Sequence, residues 1–148
     1  TEVKKLRNKA LSELQKLFDK NTNKLFYIAK VLDANSAQYK KSTPNDIVYD
    51  NMDKYINGET IETDKTKTAE KFLALANEDL TNLKLRAVVK DSSFYKYIVS
   101  KSDGFIYHLE SSTMLGRTPA DIVEYMKNPL NQDVSDKIIE KVEKHWKE

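Results

Sequence analysis

Few residues in this chain combine a reactive side chain with a spacing that supports catalysis. The sequence of 148 residues has no cysteine, only three glycines and two histidines, His108 and His145. An imidazole can act as a base or metal ligand near neutral pH, but no acid-rich helical spacing is evident around either histidine. Three glycines are too few and too scattered for a Walker loop or a dinucleotide fingerprint. The sequence therefore predicts a protein that is not an enzyme and that carries no cofactor.

One group of acidic residues has a spacing that metal ions can use. Asp46, Asp50 and Asp53 follow one another at intervals of four and three, which brings their carboxylates near one side of a helix. Hard cations take six or more oxygen ligands from a shaped loop, and the chain has no Asp-x-Asp-x-Asp-Gly segment. The absence of cysteine also excludes a zinc site built from thiolates. We therefore predict no metal site.

Aromatic and basic side chains occur together between residues 83 and 110. The rings are Phe94, Tyr95, Tyr97, Phe105 and Tyr107, and the cations beside them are Lys84, Arg86, Lys90, Lys96 and Lys101. A basic, aromatic sheet can stack single-stranded bases, so these five cations are candidate nucleic-acid contacts. Against this, lysine outnumbers arginine 22 to 3 in the chain, and arginine is the side chain whose fork recognises phosphate and guanine. Nucleic-acid binding is thus the alternative function.

The same segment changes its hydrophobic period from 3.6 to 2. Apolar residues alternate with Lys84, Arg86 and Lys90 from Leu83 onward, which predicts a half-buried strand. Further strands are predicted over Phe94–Ser100 and Phe105–Glu110, joined by a tight hairpin at Asp103-Gly104. Residues 83–110 should therefore form an antiparallel meander of three strands.

The predicted hairpin also assigns side chains to faces. A two-residue turn at Asp103-Gly104 sets Ser100 opposite Tyr107, and opposed residues share a face. Tyr95, Tyr97 and His108 then lie together, and we predict this face as the exposed, partner-binding one because tyrosine is enriched in recognition surfaces. In the structural alternative, the last helix covers that face with Ile138, Val142 and Trp146.

The N-terminal part of the chain has the period of an amphipathic helix. Its apolar positions are Val3, Leu6, Ala10, Leu14, Leu17, Leu25, Ile28 and Leu32, which describes one long helix. The weak helix formers from Asp19 to Asn23 leave open a break into two helices. We expect Leu6, Ala10, Leu14 and Leu17 to be buried and Lys9, Lys16, Lys20 and Lys24 to lie in water. So long a stripe also makes a homodimer through this helix conceivable.

Two segments of the chain have nearly the same sequence, and each predicts the start of a helix. Thr43-Pro44-Asn45-Asp46 and Thr118-Pro119-Ala120-Asp121 each supply a cap, a proline for the first helical position and an acid for the first turn. We interpret the similarity as a helix-start motif that occurs twice and not as a duplication of half of the chain. The helix that starts at Pro44 should stop at Gly58 and carry five apolar side chains inward, namely Ile47, Val48, Met52, Tyr55 and Ile56. Another helix, capped by Asp64 or Thr66, should bury Ala69, Phe72, Leu73, Ala76 and Leu80. A last helix should span about residues 133–147 with Val134, Ile138, Val142 and Trp146 inward.

These elements define an α+β fold. A long N-terminal helix and two shorter helices should precede the three-stranded meander, and two C-terminal helices should follow it. We predict a single domain over residues 1–148, with a helical part over about 1–82 and the meander with its helices over about 83–148.

Charge and hydropathy limit the setting. Residues 1–41 carry ten basic and four acidic residues, whereas 42–62 carry one and five, a modest asymmetry that does not announce a nucleic-acid binder. No stretch approaches the roughly 20 apolar residues that span a bilayer, so membrane insertion is not expected. We expect a cytoplasmic protein, with secretion or surface anchoring after leader removal left open.

By elimination, the sequence favours a non-catalytic interaction or regulatory protein that binds a macromolecular partner, foremost another protein, or itself. Its size and its abundance of lysine and asparagine fit an accessory protein of a bacterium or phage.

Overall fold

The structure is a computed structural model that describes residues 1–60 and 67–148. Its α-helices over these residues are α1 (Glu2–Lys20), α2 (Thr22–Leu32), α3 (Asn45–Ile56), α4 (Thr68–Ala76), α5 (Leu80–Phe94), α6 (Pro119–Lys127) and α7 (Gln132–Trp146). Its strands are β1 (Ile98–Ser100), β2 (Ile106–His108) and β3 (Met114–Gly116), and single 3₁₀ turns occupy Ser36–Gln38 and Pro129–Asn131. The α+β class is confirmed. The cap predicted at Asp64 or Thr66 lies outside the described residues.

The chain forms two compact units, Thr1–Leu83 and Lys84–Glu148. In the first unit, α1 packs against α2, α3 and α4. Ala10, Leu14 and Leu17 are buried on its inner side as predicted, whereas Leu6 is half-buried. The apolar stripe of α1 is therefore largely covered within the chain.

The lysines of the first unit follow the prediction except at one position. Lys9, Lys16 and Lys20 are exposed. Lys24 is not free in water, because its Nζ donates a hydrogen bond of 2.6 Å to the carbonyl oxygen of Ala76, the last residue of α4. Pairing with this otherwise open carbonyl at a helix C-terminus draws Lys24 against the unit.

The long N-terminal helix does break, within the predicted weak segment. Asn21 leaves the helical conformation with φ −151° and ψ 66°, its N–H bonds the carbonyl of Leu17, and its side chain accepts from the N–H of Lys24 at 3.2 Å. Asparagine is among the best N-cap residues. One residue thus closes α1 and caps α2.

The two Thr-Pro-x-Asp segments begin their helices in different ways. Thr118 caps α6 in a full capping box with Asp121, and Pro119 is the first helical residue, as predicted. At α3 the helix begins one residue later, with Pro44 in the cap position, and Thr43 instead accepts a hydrogen bond of 2.8 Å from the N–H of Lys40. Because Thr43 closes the preceding turn, it does not cap the helix.

Several inward positions were assigned correctly and others were not. Val48, Met52, Tyr55 and Ile56 are buried on α3, but Ile47 is 47% exposed; Ala69, Phe72 and Ala76 are buried on α4, but Leu73 is half-buried and Leu80 is 39% exposed. On α7, Ile138, Val142 and Trp146 are buried while Val134 is half-buried.

The predicted first strand is wrong: residues 83–90 belong to helix α5. Five residues there are buried, namely Leu83, Leu85, Ala87, Val88 and Val89. They occupy most of the circumference of the helix, so burial does not follow a single 3.6-residue stripe. Leucine, lysine, arginine and alanine are strong helix formers, and their alternation imitated a strand.

The sheet is a three-stranded antiparallel meander in the order β1-β2-β3, built from the second and third predicted strands and one that was not predicted. Ile98 pairs with His108, Val99 with Tyr107 and Ser100 with Ile106. β3 adds Gly116 opposite Ile106 and Met114 opposite Tyr107, with a bulge between the two pairs.

The hairpin turns at Asp103-Gly104, but its loop is one residue longer than predicted. The N–H of Lys101 bonds the carbonyl of Phe105, and the N–H of Gly104 bonds that of Lys101, so three residues form the loop and Gly104 has φ +86°. A type I turn followed by a left-handed glycine is the usual three-residue hairpin. The slip by one residue moves His108 to the face opposite Tyr97.

Among residues 1–60 and 67–148, no helix is both long and apolar enough to cross a bilayer.

Candidate interaction surface

The site begins where α5 ends and turns into β1. The N–H of Tyr97 bonds the carbonyl of Ser92 at 2.9 Å, and the N–H of Lys96 bonds that of Ser93 at 3.2 Å. This pair of bonds is the Schellman arrangement that closes helices. Lys96 occupies its left-handed position with φ 63°, where glycine is usual. The tight reversal brings the rings of Tyr95 and Tyr97 within 6.3 Å of each other.

His145 on α7 holds both tyrosines. Its ring stacks on Tyr95 with centroids 3.7 Å apart and planes 7° apart, and its Nε2 lies 2.7 Å from the hydroxyl of Tyr97. Its Nδ1 lies 2.9 Å from a carboxylate oxygen of Glu148. With the Nδ1 proton donated to Glu148, Nε2 accepts from the Tyr97 hydroxyl. Both rings are thereby fixed by one imidazole.

A buried hydrogen bond keeps α7 in place beneath this cluster. The indole Nε1 of Trp146 donates to Oδ2 of Asp91 on α5 at 2.7 Å, and both side chains are buried. Because Trp146 directly follows His145, this bond fixes the position of the imidazole relative to the C-terminal end of α5.

Two large apolar side chains extend from the fixed rings into solvent. Phe94 is 62% exposed and meets Tyr95 edge-on at 5.0 Å. Leu109 is 57% exposed, and its N–H bonds the carbonyl of Tyr97 at 3.0 Å, which sets it opposite that tyrosine. We call Phe94, Tyr95, Tyr97, Leu109 and His145 the aromatic patch.

An ion pair borders the aromatic patch. Nζ of Lys141 lies 2.9 Å from Oε2 of Glu110 and 5.5 Å from the centre of the Tyr97 ring. The hydrogen bond from Lys141 lowers the pKa of Glu110 below its ordinary value, and the same bond raises the pKa of Lys141. Both groups are substantially exposed, so the pair orients side chains more than it stabilises the fold.

The structure corrects the predicted role of His108. Tyr95 and Tyr97 are half-buried and share the patch, but His108 is only 2% exposed. Its Nδ1 lies 2.7 Å from the hydroxyl of Ser111, and burial lowers its pKa below the ordinary 6.5. The one-residue difference in hairpin register is the reason, since it turns His108 inward. His108 is therefore not part of the candidate surface.

The five predicted nucleic-acid contacts do not lie on one sheet. Lys84, Arg86 and Lys90 are on helix α5, and Lys84 pairs with Glu143 of α7 at 3.0 Å. Lys96 is exposed in the turn before β1, and Lys101 lies over the ring of Tyr107 at 4.2 Å. A cation that sequence reasoning missed, Arg117, covers Phe105 at 4.6 Å. The basic residues are thus divided between a helix, a turn and a hairpin.

Three residues of the aromatic patch were not predicted from the sequence: Phe94, Leu109 and His145. For His145 one local signal was present, because Glu148 follows it at the i,i+3 spacing. The stack on Tyr95 joins positions 50 residues apart and left no pattern in the sequence.

No metal site is apparent in the described part of the chain, where no three side chains among His, Asp and Glu are placed to share an ion. Asp46, Asp50 and Asp53 are not such a group.

Comparison with protein-family models, with curated proteins and with solved structures finds no significant match.

Proposed function

We propose that this chain is a non-catalytic interaction protein that binds another protein through the aromatic patch. The observation that carries the proposal is the exposure of Phe94 and Leu109 beside tyrosines that are already fixed. Fixed rings lose little conformational entropy on binding. Tyrosine is also among the residues that dominate interface energies.

The two exposed side chains offer a useful amount of binding energy. Complete burial of a phenylalanine or leucine side chain contributes roughly 1.5–3 kcal/mol. Phe94 and Leu109 retain more than half of their exposure, so a partner that covers them both gains about 2–3 kcal/mol from these contacts. That corresponds to a Kd change on the order of 30-fold or more.

The experiment compares matched variants in capture from a lysate of the native host. Wild-type protein, Phe94→Ser/Leu109→Ser and Leu130→Ser are immobilised, and retained proteins are identified by mass spectrometry. Leu130 is 91% exposed and lies in the 3₁₀ turn before α7, so its variant controls for loss of surface hydrophobicity alone. We expect a protein retained by the wild type and by Leu130→Ser but not by the double variant. Equal retention by all three would contradict the proposal.

Nucleic-acid binding is the second candidate, and one observation favours it. Two cation–ring pairs, Lys101 over Tyr107 and Arg117 over Phe105, lie on the hairpin and directly after β3. Arginine and aromatic planes both stack unpaired bases. A titration of labelled single-stranded DNA at increasing salt separates the candidates, because binding to phosphates weakens steeply with ionic strength.

Helix α1 exposes little apolar surface that could drive self-association. Ala10, Leu14 and Leu17 are buried inside the chain, and Val3, 40% exposed, is an isolated apolar contact of the kind that surfaces commonly carry. Light scattering over a range of concentrations measures this directly.

A further inference from the structure

Lys96 lies between Tyr95 and Tyr97 in the chain and has a backbone conformation that favours glycine. Its φ is 63°, between Tyr95 and Tyr97 at the closed end of α5. A side chain at this position costs stability that glycine would not cost. Residues held in such conformations cluster at binding sites, where the side chain has a use.

The ammonium group of Lys96 has no hydrogen bond or ion pair within residues 1–60 and 67–148. The carboxylates at the patch already have partners: Glu110 meets Lys141 at 2.9 Å, and Glu148 meets His145 at 2.9 Å. The patch therefore presents an unpaired cation and carboxylates that are engaged.

A second lysine extends this cationic side. Lys144 is exposed and also lacks a bond or ion pair to any described residue. On α7 it follows Lys141 by three residues and directly precedes His145, so it projects from the same side of the helix as Lys141.

We infer that the partner of the aromatic patch is an acidic protein segment, in which large apolar side chains cover Phe94 and Leu109 and a neighbouring Asp or Glu pairs with Lys96. This inference rests on the proposed function and specifies the charge and hydrophobicity of the partner segment. Opposite charges across an interface select the partner and speed its association.

Other occupants fit the patch less well. Leu109 has no ring on which a base can stack, and the ring of Tyr95 is already stacked on His145, so the patch offers few open ring faces to unpaired bases. In a symmetric contact with a second copy, Lys96 would find only carboxylates that are already paired. An acidic, apolar peptide satisfies both the exposed side chains and the free ammonium.

The test uses a phage-displayed library of random dodecapeptides selected on the wild-type protein. Selected peptides are synthesised and their Kd is measured for wild type, Lys96→Gln, Lys96→Gly, Phe94→Ser/Leu109→Ser and the control Lys9→Gln. Lys9 is an exposed lysine of α1 in the other unit. Thermal melting of every variant is recorded in parallel.

We expect peptides that pair Asp or Glu with large apolar residues, bind at least five times more weakly to both Lys96 variants, and bind Lys9→Gln like the wild type. Lys96→Gly should melt at a higher temperature than the wild type while it binds more weakly, a combination that a purely structural role does not produce.

Two results would overturn the inference, and they differ in what they mean for the proposed function. Peptides that lose affinity for Phe94→Ser/Leu109→Ser but are not acidic, and that bind Lys96→Gln unchanged, refute the acidic partner and leave the patch as an interface. Peptides that bind the double variant as tightly as the wild type refute both.

Discussion

At the scale of single residues, three side chains decide how the second unit is arranged. His145 fixes two tyrosines, Trp146 anchors its helix to Asp91, and His108 is buried behind the sheet. The residues that His145 and Trp146 contact here are far from them in the sequence and follow no helical or strand period. Each contact follows from the packing of α7 and the hairpin, and each can be tested alone.

The buried imidazole of His108 should make stability depend on pH. Burial lowers its pKa below 6.5, so the unfolded chain binds a proton more readily than the folded one. The free energy of unfolding then rises with pH within the window between the lowered pKa and about 6.5, and it falls as the solution is acidified through that window. Urea titrations at pH 7.5 and 5.5 measure the difference. In His108→Gln that difference should shrink; an unchanged difference would mean that His108 does not contribute to it.

The bond from Trp146 to Asp91 should be worth more than a surface contact. It joins two side chains that are 1% and 0% exposed, and a hydrogen bond to a charged group typically contributes about 1.5–3 kcal/mol. We expect Trp146→Phe and Asp91→Asn, alone and combined, to show a coupling energy of about 1–3 kcal/mol in urea denaturation followed by circular dichroism. Strict additivity of the two single losses would show that the bond contributes nothing of its own.

At the scale of elements, the sequence predicted helix starts and the place of the hairpin better than it predicted strands. The Asp-Gly pair located the turn, but a two-residue loop that joins Ser102 to Phe105 and a three-residue loop that joins Lys101 to Phe105 both fit this sequence. Only the pairing of β1 with β2 decides between them, and one residue of slip reverses every side chain. That is why His108 lies on the face opposite Tyr97 and not beside it as predicted.

Two further elements show where local patterns give too little information. β3, Met114–Gly116, spans three residues, too few for an alternating pattern to be recognised. In α5 apolar and basic residues do alternate. Residues are buried around most of the helix circumference, however, so the alternation does not indicate a strand. Tertiary packing, not local propensity, assigned both segments.

The junction of β3 and α6 depends on glycine at position 116. A Cβ there would lie 2.6 Å from Cβ of Asp121, whose carboxylate accepts from the N–H groups of Arg117 and Thr118 at 3.1 and 3.2 Å. Gly116→Ala should therefore displace the cap and cost about 2–4 kcal/mol. The matched control is Gly104→Ala, where φ is +86° and no described atom lies within 4 Å; we expect a loss of about 1–2 kcal/mol from the backbone alone. Equal losses in thermal or urea denaturation would contradict the clash.

At the scale of the whole molecule, the prediction of a single domain remains to be tested against the two compact units, Thr1–Leu83 and Lys84–Glu148. The only tryptophan of the chain, Trp146, belongs to the second unit, whereas helical ellipticity reports on both. If the chain unfolds as one cooperative domain, fluorescence and circular dichroism will give the same urea midpoint and slope. Two separate midpoints would show that the units unfold independently.

The sequence supports only a proposal for the class of function, for a physical reason. Interaction surfaces are assembled from residues distant in sequence, as Phe94, Leu109 and His145 are in the proposed surface, and the exposure of such residues is known only when the fold is. Tyr95 and Tyr97 carried a local signal, because two rings lie close together at a predicted strand. The partners that fix them carried none.

The central claim is that the aromatic patch binds a protein partner, and titration calorimetry of the captured partner tests it most directly. The measurement compares wild type with Phe94→Ser, since Phe94 is 62% exposed and its removal leaves the core intact. We predict a Kd at least about tenfold weaker, which is about 1.4 kcal/mol, with a melting temperature within about 2 °C of the wild type. An unchanged Kd would contradict the account.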